Sequence, residues 1–372
     1  MNTVTPRIFI AATRQNDGKT TTALGLFSAL KRRFGRIGFI KPVGQRFEEV
    51  DGKQIDEDSL LMDQTFRVET PIEDMSPIAV KPDFTRRYID NANNEFLVKR
   101  LRRSFDRTCW EKEFCLIEGT GHAGVGAVFD LSNARVARLL QSKAIIITRG
   151  GIGKPIDEIA LNLALFEKEG VEVVGVILNK IIPAKYDQVR DFAERGMARL
   201  GIEVLGAIPA EPILANPTLY QICRQVKGTL LNAHADKWQR IEKVIIGAMS
   251  AHNVISHFER GTLVITPGDR EDIILSALST ATDQHLHARA ITGLLLTGDL
   301  RPNEKVMQMI AQSPLPVMTT PLDSYSSASS IHSMTVKTMP GDNEKIACIQ
   351  SLYEQYVNID RLLEKVGVGG KS

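Results

Sequence analysis

Ala12-Thr13-Arg14-Gln15-Asn16-Asp17-Gly18-Lys19-Thr20 joins an apolar run, Arg7–Ala12, to a segment with helical periodicity. Strand, loop, Gly-Lys-Thr and helix in that order make a phosphate-binding loop. Successive backbone N–H groups form an anion nest, and the helix N-terminus adds partial positive charge. Lys19 is then expected to bridge the β and γ phosphates of a nucleoside triphosphate, with the Thr20 hydroxyl on Mg²⁺. The expected nucleotide contacts are Thr13, Arg14, Gln15, Asn16, Asp17, Gly18, Lys19, Thr20 and Thr21. Thr13 stands where such loops commonly carry their first glycine.

Two further charged residues follow apolar runs. Glu118 ends one at its carboxyl edge, where open α/β sheets build their sites. Facing a triphosphate, its carboxylate is expected to ligate Mg²⁺ directly or through water. Lys41 ends another run beside the loop and needs a charge partner: a nucleotide or substrate phosphate, or else Glu118 or Asp58. Lys19 and Lys41 are the candidate catalytic cations. The glycine-rich stretch Gly119–Gly126 suggests close backbone approach to a ligand or a switch loop. His122 within it reads equally as a general base, a γ-phosphate contact or a satisfied loop histidine.

The elements that must position these groups alternate in type. Apolar runs at Arg7–Ala12, Ile37–Lys41, Phe114–Glu118, Ala144–Thr148, Val171–Leu178 and Glu203–Ile208 read as strands buried on both faces, with amphipathic helices between them. The expected fold class is α/β, a P-loop NTPase with a mainly parallel doubly wound sheet, plus a smaller α/β second domain and a C-terminal helix. Three prolines between Pro209 and Pro217 mark the exit from the first domain. Two mostly helical stretches are expected up to about His257. Then come strand Thr262–Thr266, helix Glu271–Thr280, strand Ile291–Thr297, helix Asn303–Gln312 and strand Val317–Thr320. The boundaries expected are 1–212, 213–340 and 341–372, the last a helix Asn343–Val366 with a flexible glycine-rich tail.

Composition bounds the partners. A 372-residue chain can bury two ordinary cores, and a net charge of +2 favours neither nucleic acid nor an anionic membrane. No apolar run approaches the roughly 20 residues needed to span a bilayer. Four scattered cysteines, without a Cys-x-x-Cys pair, point to reduced thiols in a cytoplasmic protein.

The loop Ala12–Thr20 resembles that of dethiobiotin synthetase, in which a Thr likewise precedes the four variable residues before Gly-Lys-Thr. The resemblance continues at Lys41-Pro42-Val43, at Leu116-Ile117-Glu118-Gly119, at Asn179 and at Gly206-Ala207-Ile208-Pro209. It implies that Thr20, Glu118 and Asp58 hold Mg²⁺, with Asp56 competing for the place of Asp58 and a helix N-terminal acid as the other reading of Asp58. It also implies that Asn179 reads the adenine edge of ATP, against a plain turn asparagine. Cobyrinic acid diamide synthases and the N-terminal part of long bacterial phosphate acetyltransferases share these elements. Residues 215–335 resemble the DRTGG domain of the latter. There Thr266-Pro-Gly-Asp-Arg270 and Leu296-Thr-Gly-Asp-Leu-Arg-Pro302 each lead into a helix. Asp269 and Asp299 read best as caps, while Arg270 and Arg301 stay open. Arg14 lies where MinD-type ATPases carry a lysine that crosses a dimer interface, which implies a homodimer with Arg14 as an arginine finger, against a plain solvent-exposed loop arginine.

Two functions follow as expectations. One is an ATP hydrolase or ATP-dependent ligase that activates a carboxylate on an unknown small substrate. The other is a nucleotide-responsive regulatory or scaffold protein in which ATP binding in the first domain alters the dimer or the DRTGG-like second domain, and hydrolysis is slow. Acetyl transfer to phosphate is expected to be excluded, because in the acetyltransferases the catalytic domain comes after the point where this sequence stops.

Overall fold

The computed structural model describes residues 2–282 and 290–368, and its backbone divides into two units, one of residues 1–210 with 338–372 and one of residues 211–337. The first is built on six parallel strands: β1 (Arg7–Ala12), β2 (Ile37–Ile40), β3 (Phe114–Glu118), β4 (Lys143–Arg149), β5 (Val173–Ile181) and β6 (Val204–Pro209). Their order is β6-β5-β4-β1-β3-β2. The central strands are buried along their whole length because helices cover both faces, which is why they read as unbroken apolar runs. The chain leaves β1 between β3 and β4, so the carboxyl end of β1 opens into the crevice where the winding reverses.

Helix α1 (Lys19–Lys31) follows the loop, and α2 (Glu57–Phe66) follows an antiparallel pair of short strands, Phe47–Val50 and Lys53–Asp56, that the sequence pattern did not reveal. Helix α3 (Lys154–Lys168) joins β4 to β5. The final segment is two helices, α4 (Asn343–Tyr356) and α5 (Ile359–Val366), and both belong to the first unit. Reading 341–372 as an appendix after the second domain misses this return. The reason is local: the Tyr353 ring fills the space over Gly25 of α1, where a β-carbon would come within 2.2 Å of it. Of the expected tail, residues 369–372 lie outside the described residues.

The second unit holds a five-stranded sheet: β7 (Thr229–Leu230), β8 (Lys243–Ile246), β9 (Thr262–Pro267), β10 (Gly293–Thr297) and β11 (Val317–Thr319), in the order β7-β11-β10-β9-β8. All neighbours are parallel except β7 and β11. The stretch expected to be mostly helical up to His257 therefore contributes two strands. β8 lies at the sheet edge with Lys243, Val244 and Ile246 exposed, so it lacks the buried run that marks the inner strands.

Candidate functional site

The loop after β1 stands on a few buried polar contacts. Thr13 N donates to Ile147 O at 2.8 Å, and the Thr13 hydroxyl donates to Asp17 Oδ2 at 2.9 Å and lies 3.1 Å from Thr148 Oγ1. Gly18 adopts φ 109°, in the left-handed region, and a β-carbon there would lie 2.1 Å from Asn179 Nδ2. Only glycine meets both demands. Arg14, Gln15 and Asn16 form the exposed crest, Thr13, Asp17 and Lys19 are buried beneath it, and Thr21 is half-buried in the first turn of α1.

Lys19 Nζ lies 3.4 Å from Arg14 O. Burial is the main cause that lowers its amine to about 8, with the Lys41 charge adding to it against the pull of Glu118, Asp17 and Asp58. The Thr20 hydroxyl donates to Glu118 Oε1 at 3.0 Å. Lys41 Nζ donates to the same Oε1 at 3.2 Å, is bonded to Asp58 Oδ2, and lies 3.5 Å from Asp56 Oδ1. Burial opposes the Lys41 charge, yet the three carboxylates hold the amine well above its ordinary range. Glu118 has no exposed surface; burial raises its carboxyl to about 7, with Asp58 and Asp56 adding to the rise and Lys41 and Lys19 opposing it. Two ammonium groups thus face three carboxylates, and Glu118 carries the surplus.

This geometry separates Asp56 from Asp58. Asp56 Oδ1 accepts from Asp58 N at 3.0 Å as the cap of α2, while the Asp58 carboxylate turns to Lys41. Thr20, Glu118, Lys41 and Asp58 form one connected group, with Asp56 at its rim. Among the described residues, no set of three His, Cys, Asp or Glu side chains is disposed to hold a metal unaided. A Mg²⁺ ion held mostly by phosphates and water needs only one or two protein oxygens. Glu118 Oε2, buried and without a hydrogen-bond partner, fits that need beside the Thr20 hydroxyl.

The remaining expected residues fall differently. Asn179 spends both ends of its amide: Nδ2 donates to Asp17 O at 2.8 Å, and Oδ1 accepts from Lys180 N at 2.9 Å. In this conformation it fastens the loop. Arg14 is paired with Glu158 of α3. His122 is exposed, and its Nδ1 accepts from Gly124 N at 3.2 Å. The glycine-rich loop around it is laced down by Asn133, which accepts from Thr120 N and donates to the carbonyls of Thr120 and His122, and by Asn162, which accepts from Ala123 N.

Two residues of the site escaped the sequence reading. Arg149 at the end of β4 approaches Asp17 Oδ1 at 3.6 Å, and Lys180 at the end of β5 donates to Asn16 O at 2.8 Å. Both stand at carboxyl ends of parallel strands, which is the signal that singled out Glu118 and would have found them. Asp17 is pushed above the usual carboxylate range by burial, with the Thr13 hydrogen bond and Arg149 acting against it.

Comparison with known proteins agrees with this partition. A family model described as "AAA domain" matches residues 6–218, and one described as "DRTGG domain" matches residues 221–334. The phosphate acetyltransferase of Nitratidesulfovibrio vulgaris is 25% identical over 364 residues, covering 95% of this chain and 51% of that protein. That of Pseudomonas aeruginosa is 26% identical over 379 residues, covering 96% of this chain and 52% of its own length. The chain spans about half the length of the curated relatives it matches. Among solved structures, the MinD cell division protein of Aquifex aeolicus covers 56% of this chain and 84% of its own at 17% identity, with a TM-score of 0.36.

The relatives overturn one expectation. The sequence reading pointed to an ATP hydrolase or ligase and excluded phosphate acetyltransferase activity. Relatives that match 95% of the chain or more are named phosphate acetyltransferase, and the exclusion does not stand against them. The exclusion leaned on where the sequence stops, and a sequence endpoint is no physical property of the folded protein.

Proposed function

Because the chain belongs to the AAA domain family, whose model spans residues 6–218, we propose that its first unit binds Mg²⁺–ATP and that the nucleotide controls acetyl transfer to phosphate. The second unit, with its DRTGG domain, takes the role of a regulatory partner in that response. One observation supports the nucleotide reading above the others. Glu118 Oε2 is a buried carboxylate oxygen without a hydrogen bond, beside the Thr20 hydroxyl at the mouth of an anion nest.

Bound Mg²⁺ would neutralise phosphate charge next to Thr20 and Glu118. The chain's own residues do the rest. Thr20 and Lys41 both hold Glu118 Oε1, which leaves Oε2 for the ligand. Lys19, whose proton is loosened mainly by burial and further by the Lys41 charge, is held in its charged form by a polyphosphate. Asn179 and Lys180 fasten the loop carbonyls of Asp17 and Asn16, so the N–H groups are aimed before the ligand arrives. Two chains pair over their nucleotides, with Arg14 released from Glu158 to reach the partner's phosphates.

The test uses the full-length protein. Ligand at 100 times its Kd stabilises by about 2.7 kcal/mol, which for a domain of this size shifts the melting midpoint by about 2–4 °C per kcal/mol. Mg²⁺–ATP is expected to give that rise, Lys19→Ala to remove most of it, and acetyl phosphate formation to change with nucleotide in the wild type alone. A wild type without nucleotide uptake, or with acetyl transfer indifferent to ATP, would sink the reading.

A further inference from the structure

A second cleft lies at the far end of α1. Twelve residues separate Lys19 from Lys31, or about 18 Å at the helical rise of ~1.5 Å per residue, so this cleft is distinct from the phosphate loop. Its volume is about 80 Å³, several times the roughly 10–15 Å³ that one water needs. The lining carries four cations, Lys31, Arg36, Arg67 and Lys112, against one carboxylate, Glu69. They come from four places in the sequence: the end of α1, the approach to β2, the end of α2 and the approach to β3.

Two of the cations are held in place by backbone. Lys31 Nζ donates to Phe66 O at 3.1 Å, and Lys112 Nζ donates to Val68 O at 2.7 Å. An ammonium has three donors, and Lys112 turns a second one to Glu69 O at 3.5 Å, so Lys31 keeps two N–H groups for a ligand and Lys112 one while their positions are fixed. Arg67 caps α2 at φ 51°, a left-handed conformation that an arginine adopts at a cost. The stacked rings of Phe27 and Phe66, 4.5 Å apart, close the floor. Both are almost wholly buried, so the cleft offers charge rather than a stacking surface. Arg36 is met on its outer side by Glu111 at 3.4 Å, and Glu113 accepts its backbone N–H. Burial pushes the Lys112 amine below its usual range and Arg36 pushes it further, against Glu69 and Glu111. The cationic charge here is in excess.

We propose that this cleft is a second anion site, which takes a phosphate group, either inorganic phosphate or the head of a small phosphomonoester. Its volume of about 80 Å³ suits one tetrahedral oxyanion. An anion here would bridge the ends of α1 and α2 and the starts of β2 and β3. Those elements carry Lys19, Lys41, Asp58 and Glu118 at their other ends, so occupancy would bear on the nucleotide site.

Calorimetry of the full-length protein with inorganic phosphate and with phenyl phosphate tests this. Lys19→Ala silences the phosphate loop and is expected to keep one phosphate per chain. Adding Lys112→Met, or Arg67→Asn, which suits the left-handed backbone, should then weaken that uptake about tenfold, the value of one lost charge-assisted hydrogen bond. Thermal melting confirms that each variant is folded. Tighter phenyl phosphate marks a monoester as the ligand, and equal or weaker binding marks free phosphate. Loss of all uptake in Lys19→Ala, or affinities that move less than threefold in both double variants, overturns the proposal.

Discussion

The phenol of Tyr353 and the hydroxyl of Thr22 share a hydrogen bond of 2.6 Å, which ties helix α4 to the helix that opens at Lys19. Neither side chain has exposed surface, and the ring lies directly over Gly25. The chain thus passes through its second unit and returns to rest on the helix of the phosphate loop.

Gly25→Ala tests this packing because two effects oppose each other there. Alanine gains about 1 kcal/mol of helix propensity over glycine. Its β-carbon, however, would sit 2.2 Å from the Tyr353 ring and 2.8 Å from Tyr353 Cβ, so rotating the ring cannot relieve the clash. Overpacking at about 1–3 kcal/mol should win. Tyr353→Phe strands the Thr22 hydroxyl and should cost about 1–3 kcal/mol. Chemical denaturation measures both, and a stabilised Gly25→Ala would show that α4 does not lie against α1 in solution.

Glu118→Gln addresses the surplus carboxylate. The amide keeps the shape and removes the charge that makes three carboxylates face two ammonium groups. Folding should be unharmed, and the melting midpoint of the free protein equal or higher. Magnesium dependence of nucleotide affinity should fall about tenfold or more, the usual scale for removing one charge-assisted contact. A variant whose ATP affinity still responds fully to magnesium would remove Glu118 from the metal site.

Arg14 is engaged by Glu158 of its own chain, so two substitutions separate its possible duties. Glu158→Ala frees the guanidinium and should strengthen Mg²⁺–ATP-dependent self-association, whereas Arg14→Ala should weaken it. Analytical ultracentrifugation with and without nucleotide reads both. If both variants stay at the wild-type oligomeric state under all conditions, Arg14 does not reach across a dimer.

Much of the fold was legible because buried parallel strands are written as unbroken apolar runs. β1 and β3 fall where those runs lie, at Arg7–Ala12 and Phe114–Glu118. β8 was not legible, since an edge strand with Lys243, Val244 and Ile246 exposed has no such run. In the site, Gly18-Lys19-Thr20 announced the loop through local spacing alone. Lys41, Asp58 and Glu118 were each suspected, but their meeting at one ammonium depends on the sheet order, which brings residues 77 positions apart within 3.2 Å. The double engagement of Asn179 was hidden for the same reason. Its partner, the carbonyl of Asp17, lies 162 residues away. The return of α4 onto Gly25 is a tertiary contact that no periodicity encodes.

The pH response combines two groups with opposite signs. Lys19 titrates at about 8 in the free protein, and a polyphosphate requires its charged form. Above that value binding must take up a proton, so affinity should fall by up to about tenfold per pH unit. Glu118 titrates at about 7, and a metal requires its ionised form, so affinity for the magnesium complex should fall as pH drops below 7. The optimum therefore lies between about 7 and about 8. Stability of the ligand-free protein responds to Lys19 in the other direction. A lysine held below its unfolded value of about 10.4 penalises folding most below pH 8, and the penalty is relieved as pH rises toward that value. Calorimetry across pH 6 to 9, roughly one unit beyond each value, should trace a single maximum. Glu118→Gln should erase the acid limb and Lys19→Arg the alkaline one. An affinity that stays level across this range would show that neither buried group changes charge when the nucleotide binds.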